Sequence, residues 1–111
     1  MEYPLCDQVV TCYRKTPEGV RRQVLEGCYM ESQTAQDRDV ALARTERPFL
    51  LVIPAGRGTV QVGDRVIPGI GPENVDWAGF VPAAVENLAQ VGYVKKWYWD
   101  GKLSHVEAGR K

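Results

Sequence analysis

The side chains best suited to chemistry are one histidine, His105, and three cysteines: Cys6, Cys12 and Cys28. A thiol enzyme pairs a nucleophile with a base and an orienting carboxylate, so Cys12 or Cys28 could act with His105. A reactive thiol is favoured at a helix N-terminus, where its pKa falls, yet both cysteines lie within predicted strands. We therefore expect two core thiols, one strand histidine and no enzymatic activity.

The sequence matches the patterns of metal and phosphate sites no better than it matches a thiol enzyme. The three cysteines and the histidine are zinc-ligand types, but their spacing fits no compact zinc knuckle. The glycine pairs at 56–58 and 69–71 lack the strand-loop-helix context and the lysine of a phosphate-binding loop. Glu73, Asp76 and Glu86 are scattered carboxylates that no helical spacing brings together. The sequence predicts no catalytic residue, no metal and no cofactor.

Trp97, Tyr98 and Trp99 form an aromatic run beside Lys95 and Lys96. Such a run resembles the base-stacking strand of a nucleic-acid binder, which we keep as an alternative. On a strand, Trp97 and Trp99 share one face and Tyr98 lies on the other. We expect the tryptophan face to pack into the core.

The segment from Gln33 to Arg47 is polar and carries charges of both signs, apart from Val40 to Ala43, where a short helical turn or an extra strand could form. Long loops in small domains are often functional, and mixed charge suits a protein contact that sets register. A solvated loop is the alternative. The predicted interface residues are Gln33, Asp37, Arg38, Asp39, Arg44, Glu46 and Arg47.

The bulk properties favour one domain spanning residues 1–111. Fourteen basic and fourteen acidic side chains balance, so no net charge attracts nucleic acid or an anionic membrane. No apolar run approaches the roughly 20 residues that cross a bilayer. No basic segment followed by an apolar stretch opens the chain, so we expect no export signal and reduced cysteines in a cytoplasmic setting.

The first half of the chain predicts a hairpin and a buried strand. Residues 8–14 and 20–30 are rich in β-branched and aromatic types, and the turn Thr16-Pro-Glu-Gly19 joins them. Strict alternation places Val24 and Cys28 on one face of the second strand and Leu25 on the other. Residues 48–54, PFLLVIP, favour a strand buried on both faces.

The second half predicts two short strands, a helix and a second hairpin. The short strands are residues 59–62 and 65–67. Residues 82–90 have a first-turn proline and apolar residues at helical spacing, which favours a helix. Residues 93–99 and 102–108 flank Asp100-Gly101, a typical type I′ turn. The predicted fold is mainly β: a small barrel or sandwich of about six strands, one short helix and a long charged loop.

Several short motifs, taken in order, resemble the small head-tail connector proteins of tailed phages, also called stopper, head-completion or minor capsid proteins. The opening strands, VVTCYRKTPEGVRRQVLEGCYMES, match at Val10, Thr11, Tyr13, Arg14, Lys15, Arg22, Val24, Leu25, Gly27 and Tyr29. After a variable loop and the strand FLLVIP, a "GD-x-V-x-x-G" motif matches at Gly63, Asp64, Val66 and Gly69. The closing hairpin matches at Asp100, Gly101, Leu103, His105, Val106 and Gly109, with valine at position 106 where an aromatic residue is typical.

The resemblance implies a virion protein at the head-tail junction, made in the host cytoplasm. Many copies would form a ring between the portal or adaptor side of the capsid and the tail. DNA would pass through the channel without sequence-specific binding, and no membrane, cofactor or catalytic residue would be involved. The alternative is an SH3-like protein-binding module of a host or mobile element without a virion role.

Overall fold

The computed structural model describes residues 6–32 and 48–110, and this part of the chain is mainly β, as predicted. The strands are β1 (Gln8–Thr16), β2 (Gly19–Ser32), β3 (Phe49–Pro54), β4 (Arg65–Pro68), β5 (Ala89–Gln90), β6 (Tyr93–Trp99) and β7 (Lys102–Gly109). They form one antiparallel sheet in the order β5-β4-β1-β2-β3-β7-β6. The described residues contain no helix, so this part of the chain has no helix long and apolar enough to cross a membrane.

The β1–β2 hairpin forms where the sequence predicts it, around a turn at Pro17-Glu18. Its register is regular from Thr16 opposite Gly19 to Val10 opposite Leu25. Gly19 has a φ of 125°, which favours glycine at this position because a side chain is strained there. Turn chemistry and β propensity therefore predict this hairpin correctly.

A β-bulge in β2 corrects the predicted alternation of that strand. Val10 lies opposite Leu25 but Gln8 opposite Cys28, so two steps along β1 match three along β2. Gly27 has a φ of 69°, the left-handed conformation that glycine adopts in such bulges. Leu25 and Cys28 are therefore both buried, although strict alternation places them on opposite faces.

The bulge separates two parts of the sheet that share β2. The first part of β2 pairs with β1, and its last residues, from Tyr29 to Ser32, pair with β3. A bulge bends a strand and increases its twist, which lets the two parts enclose apolar side chains. The main core contains Val10, Cys12, Leu25, Cys28, Met30, Phe49, Leu51, Ile53, Val60, Val66, Val91, Val106 and Ala108.

Strand β3 lies between β2 and β7, at the centre of the second part of the sheet. Phe49, Leu51 and Ile53 are buried, whereas the alternate residues of the strand are half-buried. The prediction of a strand is thus confirmed, but only one of its faces is fully buried. The other face of the sheet here is only partly covered.

The sheet does not close into a barrel. Its two ends are β5 and β6, which are separated in the chain only by Val91 and Gly92 and do not pair with each other. The Val91 N–H donates to the Asp64 carbonyl and the Gly92 N–H to the Gly109 carbonyl. This connection therefore bridges the two parts of the sheet at one end, and β6 is an edge among the described strands.

The predicted helix at residues 82–90 is wrong. The N–H groups of Ala84 and Val85 both donate to the Val81 carbonyl, but the pattern does not continue as a helix. Asn87 has a φ of 67°, which ends a helical path, and Ala89–Gln90 then pairs with β4. The helical spacing of the apolar residues instead lets turns bury Leu88 beside Tyr13 and Phe80.

The predicted strand at residues 59–62 is also wrong, whereas the one at 65–67 is confirmed as part of β4. The Gln61 N–H donates to the Asp64 carboxylate, 2.8 Å away, instead of to a neighbouring strand. Gly58 and Gly63 have φ values of 131° and 95°, which are not strand conformations. A loop closed by a side chain therefore replaces the predicted strand.

Candidate protein-binding surface

Two of the three cysteines lie in the core of the fold. Cys12 and Cys28 are buried, and burial is the main cause that raises their pKa values, to about 12 and about 11. The nearby Asp64 carboxylate adds to the effect on Cys12. Both groups remain thiols near neutral pH, and the thiolate is the nucleophilic form. The predicted core role of these two residues is confirmed.

His105 lies on the outer side of β7. Its ring stacks on Trp97 with centroids 6.0 Å apart and an interplanar angle of 18°. Its Nδ1 is 3.4 Å from the Ser104 hydroxyl. Within residues 6–32 and 48–110, no three His, Cys, Asp or Glu side chains are placed to hold a metal ion together.

The Asp64 carboxylate is a buried polar group with several hydrogen-bond donors around it, and the residue has only 2 % of its surface exposed. Arg14 donates to its two oxygens through Nε and Nη2, each at 2.9 Å. The Cys12 thiol and the Gln61 N–H donate to the same carboxylate. The hydrogen bond to Asp64 is the main cause that raises the pKa of Arg14. This cluster joins β1 to the loop before β4.

The spacing of residues on β1 indicates which face of the strand Arg14 occupies. Val10, Cys12 and Arg14 lie two residues apart on β1, so alternation places the arginine on the side of the buried valine and cysteine. A cation on such a face requires a carboxylate partner. The sequence leaves open which carboxylate that is, since Asp64 lies 50 residues further along the chain.

The segment between β4 and β5, residues 69–88, is attached to the sheet by a second small core. Tyr13 packs edge-on against Phe80 with centroids 4.7 Å apart, and its hydroxyl donates to the Pro72 carbonyl at 2.6 Å. Arg22 donates to the carbonyls of Gly71 and Pro72. The segment is therefore anchored despite having no regular secondary structure.

Arg65 holds the middle of the same segment. Its Nη1 donates to the carbonyls of Trp77 and Phe80, at 2.6 and 2.8 Å. Its guanidinium carbon lies 3.8 Å from the centroid of the Trp77 ring, a cation-π contact. Burial lowers the pKa of Arg65. We call residues 69–88 the β4–β5 segment.

The predicted interface residues Gln33, Asp37, Arg38, Asp39, Arg44, Glu46 and Arg47 lie outside the described residues, as does the rest of the segment from Gln33 to Arg47. Their assignment to a protein contact therefore stays a prediction. The described residues offer a different surface.

That surface is the β6–β7 hairpin, whose aromatic side chains are exposed. Trp97, Tyr98 and Trp99 have 40 %, 61 % and 71 % of their surfaces exposed. The prediction that the tryptophan face packs into the core is wrong, because Trp97 lies opposite His105 on the outer face, whereas Lys96 lies opposite the buried Val106. On β6, Val94 packs against the main core, whereas residues 95–99 are exposed.

The hairpin has a well-defined local geometry. Asp100 and Gly101 have φ values of 52° and 77°, as in a type I′ turn, which confirms the predicted turn. Trp97 lies opposite His105 and Tyr98 opposite Leu103, so Ser104 is an extra residue in β7. Bulges re-aim side chains, and here Leu103 and Val106 both reach the core while the aromatic residues remain outside.

Cations accompany the exposed rings. The Lys95 ammonium lies 4.2 Å from the centroid of the Trp97 ring, whose neighbour across the strands is His105. Lys96 and Lys102 are exposed on the same hairpin. A cation held against an aromatic face is ordered, which reduces the entropy lost when a partner binds.

A depression of about 300 Å³ lies between the hairpin tip and the turn after β3. Trp99 forms one wall and Lys102 supplies a cation at its edge. Its other lining residues are Pro54, Ala55, Asp100, Leu103 and Ser104. The lining thus combines an aromatic ring with one lysine and one aspartate.

No protein-family model, curated protein or solved structure matches this chain. The candidate site therefore depends on the geometry of the chain itself. Exposed clusters of tryptophan and tyrosine are uncommon on free surfaces and dominate the binding energy of protein interfaces. We take the aromatic and basic residues of the β6–β7 hairpin as the candidate protein-binding surface.

Proposed function

We propose that this protein is a structural subunit of the head-tail connector of a tailed phage, present in the virion at the head-tail junction. In this role copies of the chain bind one another in a ring, and the ring contacts the portal or adaptor on one side and tail proteins on the other. DNA passes through the ring without sequence-specific contacts. The subunit is made in the host cytoplasm.

The observation that carries the proposal is that two motifs of the resemblance meet in the fold. Arg14 belongs to the opening motif and Asp64 to the "GD" motif, and the two side chains form the buried ion pair. Gly27 forms the bulge of β2, and Asp100-Gly101 forms the turn of the second hairpin. The ion pair joins two motifs that are far apart in the sequence, which supports treating these two as parts of one pattern.

The chemistry of the described residues also supports binding over catalysis. Cys12 and Cys28 have raised pKa values, which disfavours the thiol-enzyme alternative. The β6–β7 hairpin exposes aromatic side chains that suit a protein interface. A subunit that contacts several neighbours needs such surfaces.

Electron microscopy of particles that contain this protein tests the proposal. The expected result is a ring of density at the portal-tail junction into which the seven-stranded fold fits. Absence of the chain from purified particles would contradict the proposal and favour the SH3-like binding module without a virion role.

A further inference from the structure

We infer that the β6–β7 hairpin of one copy docks on the β4–β5 segment of a second copy. This inference deepens the proposed connector role, because it names the two surfaces by which copies would join. It depends on three features: a basic hairpin at one end of the described strand order, an acidic segment at the other end, and exposed apolar groups on both.

The hairpin is the first of the two surfaces. Strand β6 is an end of the sheet and pairs only with β7 among the described strands. Residues 95–102 contain three lysines and one aspartate, so this stretch carries a net positive charge. Exposed aromatic side chains can anchor another chain, and the lysines around them favour an acidic one.

The β4–β5 segment is the second surface. Residues 69–88 contain Glu73, Asp76 and Glu86 and no lysine, arginine or histidine. All three carboxylates are on exposed residues. Arg22 and Arg65 contact this segment through its backbone carbonyls, and neither forms an ion pair with the three carboxylates.

Apolar groups complete the match. Ile70 is 75 % exposed and lies in the β4–β5 segment, and Trp99 is 71 % exposed on the hairpin. Ile70 and Trp99 thus offer one apolar contact on each of two surfaces of opposite charge. Contact between them would bury apolar area, while the surrounding charges would set the register.

The arrangement favours a head-to-tail contact between copies. The β4–β5 segment adjoins β4 and β5 at one end of the strand order, and β6 is at the other end. None of Lys96, Lys102, Glu73 or Glu86 forms an ion pair within the part of the chain that the structure describes. Each copy that joins through one surface therefore keeps the other for the next copy, which is the heterologous contact that builds rings.

Charge reversal on each surface tests the inference with the full chain. The hairpin variant carries Lys96→Glu and Lys102→Glu, and the segment variant carries Glu73→Lys and Glu86→Lys. Self-association is measured by analytical ultracentrifugation at low ionic strength. We expect each variant alone to associate at least about tenfold more weakly than the native protein, because like charges then face each other.

The decisive step is a 1:1 mixture of the two variants. The reversed hairpin then faces a reversed segment, and the native hairpin faces a native segment, so every contact is again complementary. We expect association to return to within about threefold of the native affinity. Recovery in the mixture also shows that both variants are folded.

Two variants with the same change in net charge serve as controls. Lys15→Glu with Arg21→Glu, and Glu18→Lys with Glu26→Lys, reverse exposed residues of the β1–β2 hairpin. Both should associate within about twofold of the native protein, since the charges lie outside the two surfaces. A loss as large as that of the test variants would assign the effect to net charge and overturn the inference.

Other outcomes are equally clear. A native chain that stays monomeric at about 1 mM, or a mixture that does not recover, would overturn the inference. A nucleic-acid result would also overturn it: the native protein binds a single-stranded oligothymidylate, the hairpin variant loses that binding, and self-association is the same in both. The hairpin would then be a nucleic-acid surface. If microscopy finds the protein at the head-tail junction while the mixture fails, the connector role stands and only the named surfaces are wrong.

Discussion

Tyr13 on the β1–β2 hairpin is fully buried, whereas Trp99 on the β6–β7 hairpin has 71 % of its surface exposed. Both hairpins are antiparallel, both close on a two-residue turn, and both carry a bulge. They differ in their neighbours. Strand β1 lies between β4 and β2 and is covered by the β4–β5 segment, whereas β6 is an edge.

The comparison shows that local rules build a hairpin but do not decide which of its side chains are buried. Burial depends on what packs across the strand. On β1, Thr11 and Tyr13 are buried on one face and Val10 and Cys12 on the other. On β6, residues 95–99 are all exposed. The first hairpin therefore holds the fold, and the second remains available for binding.

Removing the cation of the buried ion pair should have the largest effect on stability. Arg14→Met leaves the Asp64 carboxylate buried without its bidentate partner. We expect the free energy of unfolding to fall by about 3–5 kcal/mol in denaturant titrations. The control is Arg21→Met on the neighbouring strand, where an exposed arginine should contribute less than about 0.5 kcal/mol. Equal effects would contradict the structural role of the pair.

Adding a methyl group should lower the unfolding free energy more at Gly58, which packs against β2, than at Gly101 in the tip of the second hairpin. A Cβ at Gly58 would lie 2.5 Å from Leu25 Cδ2, and φ there is 131°. Gly58→Ala should lower the unfolding free energy by about 3 kcal/mol, from overlap and backbone strain. At Gly101 a Cβ meets nothing within 4 Å, so Gly101→Ala should cost only the strain, about 1 kcal/mol. A reversed order would show that the tip is the more tightly packed site.

Tyr13→Phe should have a moderate and local effect. It removes the hydrogen bond to the Pro72 carbonyl and keeps the ring against Phe80. We expect a loss of about 1 kcal/mol in unfolding free energy, with faster amide exchange in residues 69–80. Tyr98→Phe removes a hydroxyl from an exposed residue and should change neither measurement. Unchanged exchange in Tyr13→Phe would contradict the anchoring role of this hydroxyl.

Trp99→Ala should have the smallest effect on stability and a large one on binding. The side chain is mostly exposed, so unfolding free energy should change by less than about 0.5 kcal/mol. Self-association should weaken about tenfold, because exposed aromatic residues dominate interface energies. Val62→Ala, at a residue 65 % exposed outside both surfaces, should leave association unchanged. A Trp99→Ala protein that is destabilised but associates normally would reverse the contrast between the hairpins.

Much of the fold was predictable from the sequence because it depends on neighbouring residues. The turns at Pro17-Glu18 and Asp100-Gly101 follow from the backbone preferences of their residues, and the strands beside them follow from β propensity. The apolar run PFLLVIP is too short for a typical helix and forms β3. These elements needed no knowledge of distant contacts.

The rest depended on contacts that the sequence does not reveal. Val81, Val85 and Leu88 have helical spacing, but they lie in turns, and Val85 and Leu88 pack with Tyr13 and Phe80. Asp64 draws residues 61–64 into a loop because Arg14 lies beside it. We expected the tryptophan face to pack into the core. Alternation shows which residues share a face of a strand, but it does not show whether that face meets the core. The candidate site thus became visible only in the assembled sheet.

The most direct test of the contrast between the hairpins is photo-crosslinking of the full chain. A photoreactive amino acid is placed at position 99 or, as the control, at position 18 in the turn of the first hairpin. We predict cross-linked dimers and larger species from position 99, with the cross-linked peptide within residues 69–88 of another copy. Equal cross-linking from position 18, or cross-links from position 99 that map elsewhere, would contradict the assignment of binding to the β6–β7 hairpin.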